Sequence, residues 1–327
     1  VPTAPLRPLL DRRLLIVTGK GGTGKTTVAA ALALAAAERG KRVLLAEVGL
    51  GEHAPRVLAP GSAPVGYAGR ELLPRLTALH LDPYAALAEY LGLQLHAERA
   101  VQLLARNKSF RQLMDAAPGW RELITLGKLW HVEQARDARG APRFDLVIVD
   151  APATGHGLTF LDVPRVVVSA VRGGPLRRNA AAVEALLADA ERTLLLPVAL
   201  AEELPARETA ELVSRVRADI GVALDRVVVN AVARAPFPPG LEELDERLAR
   251  LPADAALPGL PPPPVLAACA AHARARHALN REYLAKIAVA TRLPAIELPL
   301  LAEGVRGPED LRTLAARLVG ADGEGAP

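Results

Sequence analysis

Cysteine is almost missing from this sequence: Cys269 is the only one in 327 residues. An intramolecular disulfide is therefore excluded. Neither a CxxC zinc pair nor a three-thiolate metalloid site can come from a single chain. Such usage points to the cytoplasm as compartment. Aromatic residues are scarce as well, at 3% against 50% hydrophobic overall, so the core has to be built from Leu, Val and Ala. No apolar run approaches the roughly 18 residues of a membrane span, and the opening VPTAPLRPLLDRR has no signal-peptide apolar stretch. A concentrated basic stripe is missing too. The net charge is +4, and Arg and Glu intersperse along the helical stretches, which leaves nucleic-acid binding without support. The length allows one large α/β domain or two smaller ones, with ample core. There is no internal duplication.

What the sequence does have begins at Leu14–Thr27, LLIVTGKGGTGKTT. An apolar run feeds a glycine-rich turn, and a helix opens at Lys25-Thr26-Thr27. Gly19, Gly24, Lys25 and Thr26 fill the pattern G-x-x-x-x-G-K-[ST] without a mismatch. The chemistry needs these residue types. Glycines let backbone N–H groups converge on phosphate oxygens where a Cβ would stand in the way, and a helix N-terminus adds its dipole and unpaired amides. Gly19, Lys20, Gly21, Gly22, Thr23, Gly24, Lys25, Thr26 and Thr27 are thus the candidate cradle for a nucleoside triphosphate. Lys25 is placed to neutralise the β/γ-phosphates, and the Thr26 hydroxyl to ligate Mg²⁺. Downstream, an Ala-rich helix over 26–39, Gly40 at its C′ position and a strand over 41–47 complete a right-handed βαβ unit.

Lys20 adds a second signal. With it the loop reads GKGGxGKT, which resembles the deviant phosphate loop of a superfamily of dimeric ATPases. Two later segments narrow the resemblance: DAPATGH, at the end of the apolar run 143–150, and PLLAEGVRG, residues 299–307. Together they resemble the arsenite-pump/tail-anchored-protein-targeting ATPases over nearly the whole chain, specifically at these three places and loosely between them. The resemblance implies a doubly wound, largely parallel α/β sheet with a helical insertion, ATP and Mg²⁺ as ligands, and a nucleotide-sandwich dimer in which Lys20 reaches the partner's nucleotide. It also implies that Asp150 holds Mg²⁺ through a water and that Gly155 offers its N–H to the γ-phosphate. Asn230, at the end of a strand RVVVN, would read the adenine edge, which suits an amide's donor and acceptor, and Pro299 and Leu300 would lie against the adenine. Thr154 and His156 would sit on the segment that moves on hydrolysis.

Two departures stand out. Aligning VLLAEVGLGEHAP with the family's strand end puts Gly49 where the water-orienting switch aspartate is expected, and Gly304 stands where a glutamate is usual. Either Glu52 substitutes through a shifted loop, making Lys20, Lys25 and Glu52 the catalytic set, or the protomer hydrolyses ATP poorly. The sequence favours the second, because positioning an in-line water tolerates little displacement.

The remaining chain reads as follows. A Gly/Pro-rich connector spans 60–69, and a strand is expected over 79–82. Residues 83–136 show apolar spacing of amphipathic helices, a helical insertion that serves either as satellite core or as a client-handling groove. Helices are expected over 158–168, 176–190, 206–219, 241–251 and 265–291, and strands over 193–200, 226–230 and 296–301. Residues 1–82 and 137–320 form the two parts of the nucleotide-binding core, and 321–327 a disordered tail. The functional expectation is a Mg²⁺-ATP-driven dimeric ATPase controlling a client surface, with a nucleotide-gated regulatory subunit as the alternative. One phosphate loop per chain calls for a homodimer or a heterodimer with a paralogous ATPase.

Overall fold

The computed structural model describes residues 6–49, 51–95, 107–108, 112, 114, 119–255 and 258–320, with backbone only at 93–95 and 154–158. Its centre is β1 (Leu14–Gly19), every residue of which is buried. A strand apolar on both faces needs cover on both, and that is what a doubly wound sheet supplies. β1 lies between β5 (Leu146–Ala153) and β6 (Thr193–Leu200). The sheet extends through β2 (Val43–Val48) and β4 (Leu76–Leu81) on one side, and β7 (Val227–Val232) and β8 (Ala295–Pro299) on the other. These seven strands are parallel. The eighth, β3 (Arg70–Leu73), pairs antiparallel with β4 at the edge. The order is β3-β4-β2-β5-β1-β6-β7-β8.

Strand alternation divides the core into faces. Leu15, Val17, Val43, Leu45, Leu146 and Ile148 pack with α1 (Lys25–Glu38), α2 (Ala54–Leu58) and α10 (Pro308–Gly320). Helix α1 is apolar all round and buried from Val28 to Ala37, which its alanines permit by letting neighbours approach closely. Leu14, Ile16, Val147 and Val149 face the opposite way, onto α4 (Trp120–Gln134), α5 (Thr154–Ala170), α6 (Pro175–Ala188) and α7 (Glu203–Arg215). Beyond them the short α8 (Leu244–Ala249) packs on α9 (Pro263–Thr291), which covers β7 through Leu284 and Ile287. Cys269 is exposed on α9.

The expected elements are present, with shifted ends. The strand expected at 79–82 runs over 76–81 and carries the unforeseen β3, a short exposed edge strand that turns back at Arg75, whose φ is +67°. The helix expected from Leu158 opens at Thr154, directly after β5. The helix expected over 206–219 ends at Arg215 and continues as one π turn, Val216–Ile220, closed by Gly221 at φ +76°. Of the insertion, α3 (Pro83–Leu95) and α4 are described. Leu126 and Leu129 of α4 sit in the same core as Leu14 and Ile16. The apolar positions expected around Leu103, Leu104, Phe110 and Leu113, and the tail 321–327, lie outside the described residues.

Candidate nucleotide-binding site

The loop between β1 and α1 stands at the carboxyl ends of the parallel strands, and its glycines are there for separate reasons. Gly19 has φ +147°, and a Cβ on it would sit 2.2 Å from the Val198 carbonyl oxygen of β6. Gly24 is the N-cap of α1 at φ +90°, and a Cβ there would lie 2.1 Å from Asn230 Nδ2. Gly22, at φ +85°, is left-handed with open space around it. Thr23 is buried, and its hydroxyl donates to the Lys20 carbonyl at 2.9 Å.

Lys25 Nζ donates to that same carbonyl at 3.0 Å. Burial pulls its pKa below the ordinary lysine value, against the opposing charge of Asp150. Thr26 Oγ1 donates to Asp150 Oδ2 at 2.5 Å, joining the first turn of α1 to the end of β5. Burial raises the Asp150 pKa, with the Thr26 hydrogen bond and the charges of Lys25 and His53 pulling the other way. The second carboxylate oxygen, Oδ1, is buried without a hydrogen-bond partner. Mg²⁺ takes oxygen ligands, keeps several of its waters and commonly uses one or two carboxylates beside substrate phosphates. Thr26 and Asp150 fit that requirement. Among the described residues no group of three or more His, Cys, Asp or Glu side chains gathers as a metal site, so phosphates and waters would complete the ion's shell.

Asn230, near the end of β7, donates from Nδ2 to the Thr23 carbonyl at 3.0 Å, which brings it against the loop. Gly155 falls in the first turn of α5, where backbone N–H groups have no intrahelical partner. Pro299 closes β8, and the Leu300 N–H bonds the Val232 carbonyl at 2.9 Å, tying that turn to β7. Gly304 has φ +70° and its N–H bonds the Leu301 carbonyl, a turn in which a glutamate would be strained. The substitution noted in the sequence is thus a backbone requirement. Lys20 is turned inward: its Nζ pairs with Glu208 Oε1 of α7 at 2.8 Å.

Of the two acids near the end of β2, Glu52 is the sequence's candidate for positioning the water, and Glu47, within the strand, is not ranked by it. Glu52 accepts the N–H groups of Val65 and Gly66 at 2.7 and 2.8 Å, bracing the connector. Gly49 offers its carbonyl to His80 Nε2 at 2.9 Å. Glu47, by contrast, is 2% exposed and is the register partner of Asp150 on the adjacent strand. Its Oε1 accepts the N–H groups of His53 and Ala54 at 2.7 and 2.9 Å, and its Oε2 has no partner. Burial is the main cause that pushes its pKa up to about 7, with the charges of Asp150 and Glu52 adding to it. The sequence signal for Glu47 was an acid inside an otherwise apolar strand.

A mononucleotide-type sheet of this order, with its glycine loop cupped between β1 and α1, places the molecule among the phosphate-loop NTPases. Its relatives narrow that class. The family model for anion-transporting ATPases (ArsA ATPase) matches residues 12–173. ATPase BagA of Mycobacterium tuberculosis is 32% identical over 305 residues, covering 90% of this chain and 88% of that protein. An arsenical pump-driving ATPase of Escherichia coli is 30% identical over 271 residues, covering 76% of this chain and 45% of that protein. ATPase GET3 of Podospora anserina is 28% identical over 172 residues, about half of each chain. The chain belongs to the ArsA ATPase family. Among the described residues no helix is long and apolar enough to cross a membrane.

Proposed function

We propose that this protein binds Mg²⁺-ATP in the loop of residues 19–27 and uses the nucleotide to close a dimer, turning ATP over slowly. The observation that carries the reading is the Thr26–Asp150 hydrogen bond beside Lys25, which assembles the magnesium- and phosphate-binding groups at a helix N-terminus. Lys25 neutralises the β/γ-phosphates, and Thr26 and Asp150 hold the metal and its water. Asn230 and the Pro299–Leu300 turn address the base. Mg²⁺ supplies charge neutralisation between the phosphates. Lys20 acts in the partner's site once it leaves Glu208, whether the partner is a second copy or a paralogous ATPase.

Slow turnover is supported by two features. Gly49 brings no side chain to the expected water-orienting position, and the carboxylate of Glu52 is already engaged by two backbone amides. A nucleotide-gated subunit with little hydrolysis of its own is therefore the second reading. The single cysteine makes an arsenite-binding thiol site within one chain unavailable.

Steady-state ATP hydrolysis measured beside equilibrium ATP binding decides between them, using wild type, Gly49→Asp and Lys25→Ala: slow but measurable wild-type turnover supports the first reading, and tight binding with no measurable turnover until Gly49→Asp restores it supports the second. The expected outcome is tight Mg²⁺-dependent binding, weak turnover that Gly49→Asp raises at least about tenfold, and loss of both in Lys25→Ala. Fast wild-type turnover that Gly49→Asp leaves unimproved would mean that Glu52 or another group positions the water.

A further inference from the structure

We infer that Glu47 is a second acceptor for the water shell of the nucleotide's Mg²⁺, acting beside Asp150, and that it ties that shell to the start of α2. The inference rests on the Mg²⁺-ATP reading above.

The geometry begins with the sheet. β2 and β5 are adjacent and parallel, and Glu47 and Asp150 are register partners, so both side chains leave the same face. That face is the one covered by α1, since Leu45 and Ile148, two residues earlier on each strand, pack in the α1 core. Both acids lie at the carboxyl ends of their strands, where open sheets bind ligands. Glu47 is 2% and Asp150 7% exposed. Each has one oxygen engaged and one without a donor. Asp150 Oδ2 takes the Thr26 hydroxyl, and Glu47 Oε1 takes the His53 and Ala54 amides. Asp150 Oδ1 and Glu47 Oε2 remain unpartnered.

Two neighbouring buried acids repel each other when ionised, and an undonated buried oxygen is costly. A hydrated divalent cation answers both problems, because its charge offsets theirs and its waters donate to oxygens that only accept. Holding α2 does not by itself explain an acid here. The two amides use one oxygen, and a glutamine would accept from them equally well while its NH₂ spared the site a charge. Glu47 is a positioning residue in this scheme: it acts on the metal's water and touches no phosphate.

The contrast between oxygen and amide gives the test. Binding of a non-hydrolysable ATP analogue is measured against free Mg²⁺ for wild type and Glu47→Gln, with matched titrations in EDTA. The expected result is unchanged affinity in EDTA and about a tenfold higher Mg²⁺ requirement in Glu47→Gln. An identical Mg²⁺ dependence in the two proteins would overturn the inference. Should Glu47→Gln not fold, hydrogen exchange on the wild type decides: the amides of His53 and Ala54 should exchange more slowly with Mg²⁺ and analogue than with analogue and EDTA. Equal exchange would overturn it. A wild type that binds the analogue under neither condition would sink the functional reading, and this one with it.

Discussion

Gly19 and Gly24 fit one sequence pattern, but the first is hemmed in by backbone and the second by a side chain that can swing aside. Patterns of this kind show which residue types a phosphate needs, and so the loop was expected from its residues, whereas Asp150 and Asn230 were expected from the family resemblance; the structure brings both against the loop. Glu47 was legible from neither, because its significance lies in burial and in facing Asp150 across two strands distant in sequence. Its titration is itself testable in the nucleotide-free protein in EDTA. Folding raises the Glu47 pKa from an ordinary 4.5 to about 7, so between those values the unfolded chain has released a proton that the folded chain still holds. Stability is accordingly full below about pH 4.5 and falls as pH rises to about 7, by on the order of 3 kcal/mol from this group. Asp150, raised in the same direction, adds to the trend. Urea unfolding across that range should show the slope, and Glu47→Gln should flatten it. A wild type and variant with parallel pH profiles would contradict the assignment.

At the scale of elements, periodicity located nearly every strand and helix, and missed mainly where local context decides. The edge strand β3 has exposed first residues and only four in all, so no alternation announces it. The start of α5 was hidden because TGHG scores as loop by propensity, although β5 delivers it straight into a helix. Helix α7 has a role the pattern did not suggest, since its Glu208 holds Lys20 within the subunit. Both side chains are about one-third exposed, and such a pair contributes at most about 1 kcal/mol. If closure requires Lys20 to cross to the partner, Glu208→Gln removes that internal competitor. ATP-dependent dimerisation should then tighten by up to about fivefold, as read by sedimentation velocity. Weakened dimerisation would instead put Glu208 in the interface itself.

For the molecule as a whole, the far end of the sheet matters as much as the nucleotide end. Glu133 of α4 is 2% exposed and is held by Arg13, before β1, and Arg192, before β6, at 3.1 and 2.6 Å. This joins α4 to the start of β1, which carries the phosphate loop, and to the start of its neighbour β6. Glu133→Ala leaves two partly exposed arginines without their shared acid, and should cost about 3 kcal/mol, the low end for a broken buried pair. Thermal unfolding should show that loss with ATP binding retained at low temperature. A loss within about 0.5 kcal/mol would mean that the cluster contributes no net stability. That arrangement was beyond sequence reading, because three charges 59 and more residues apart give no local signal. The scarcity of cysteine has a practical corollary as well. With Cys269 exposed and alone, native protein accepts one thiol-directed spin label per subunit without any engineering. A homodimer so labelled reports a single inter-label distance for each nucleotide state, whereas pairing with an unlabelled paralogue reports none.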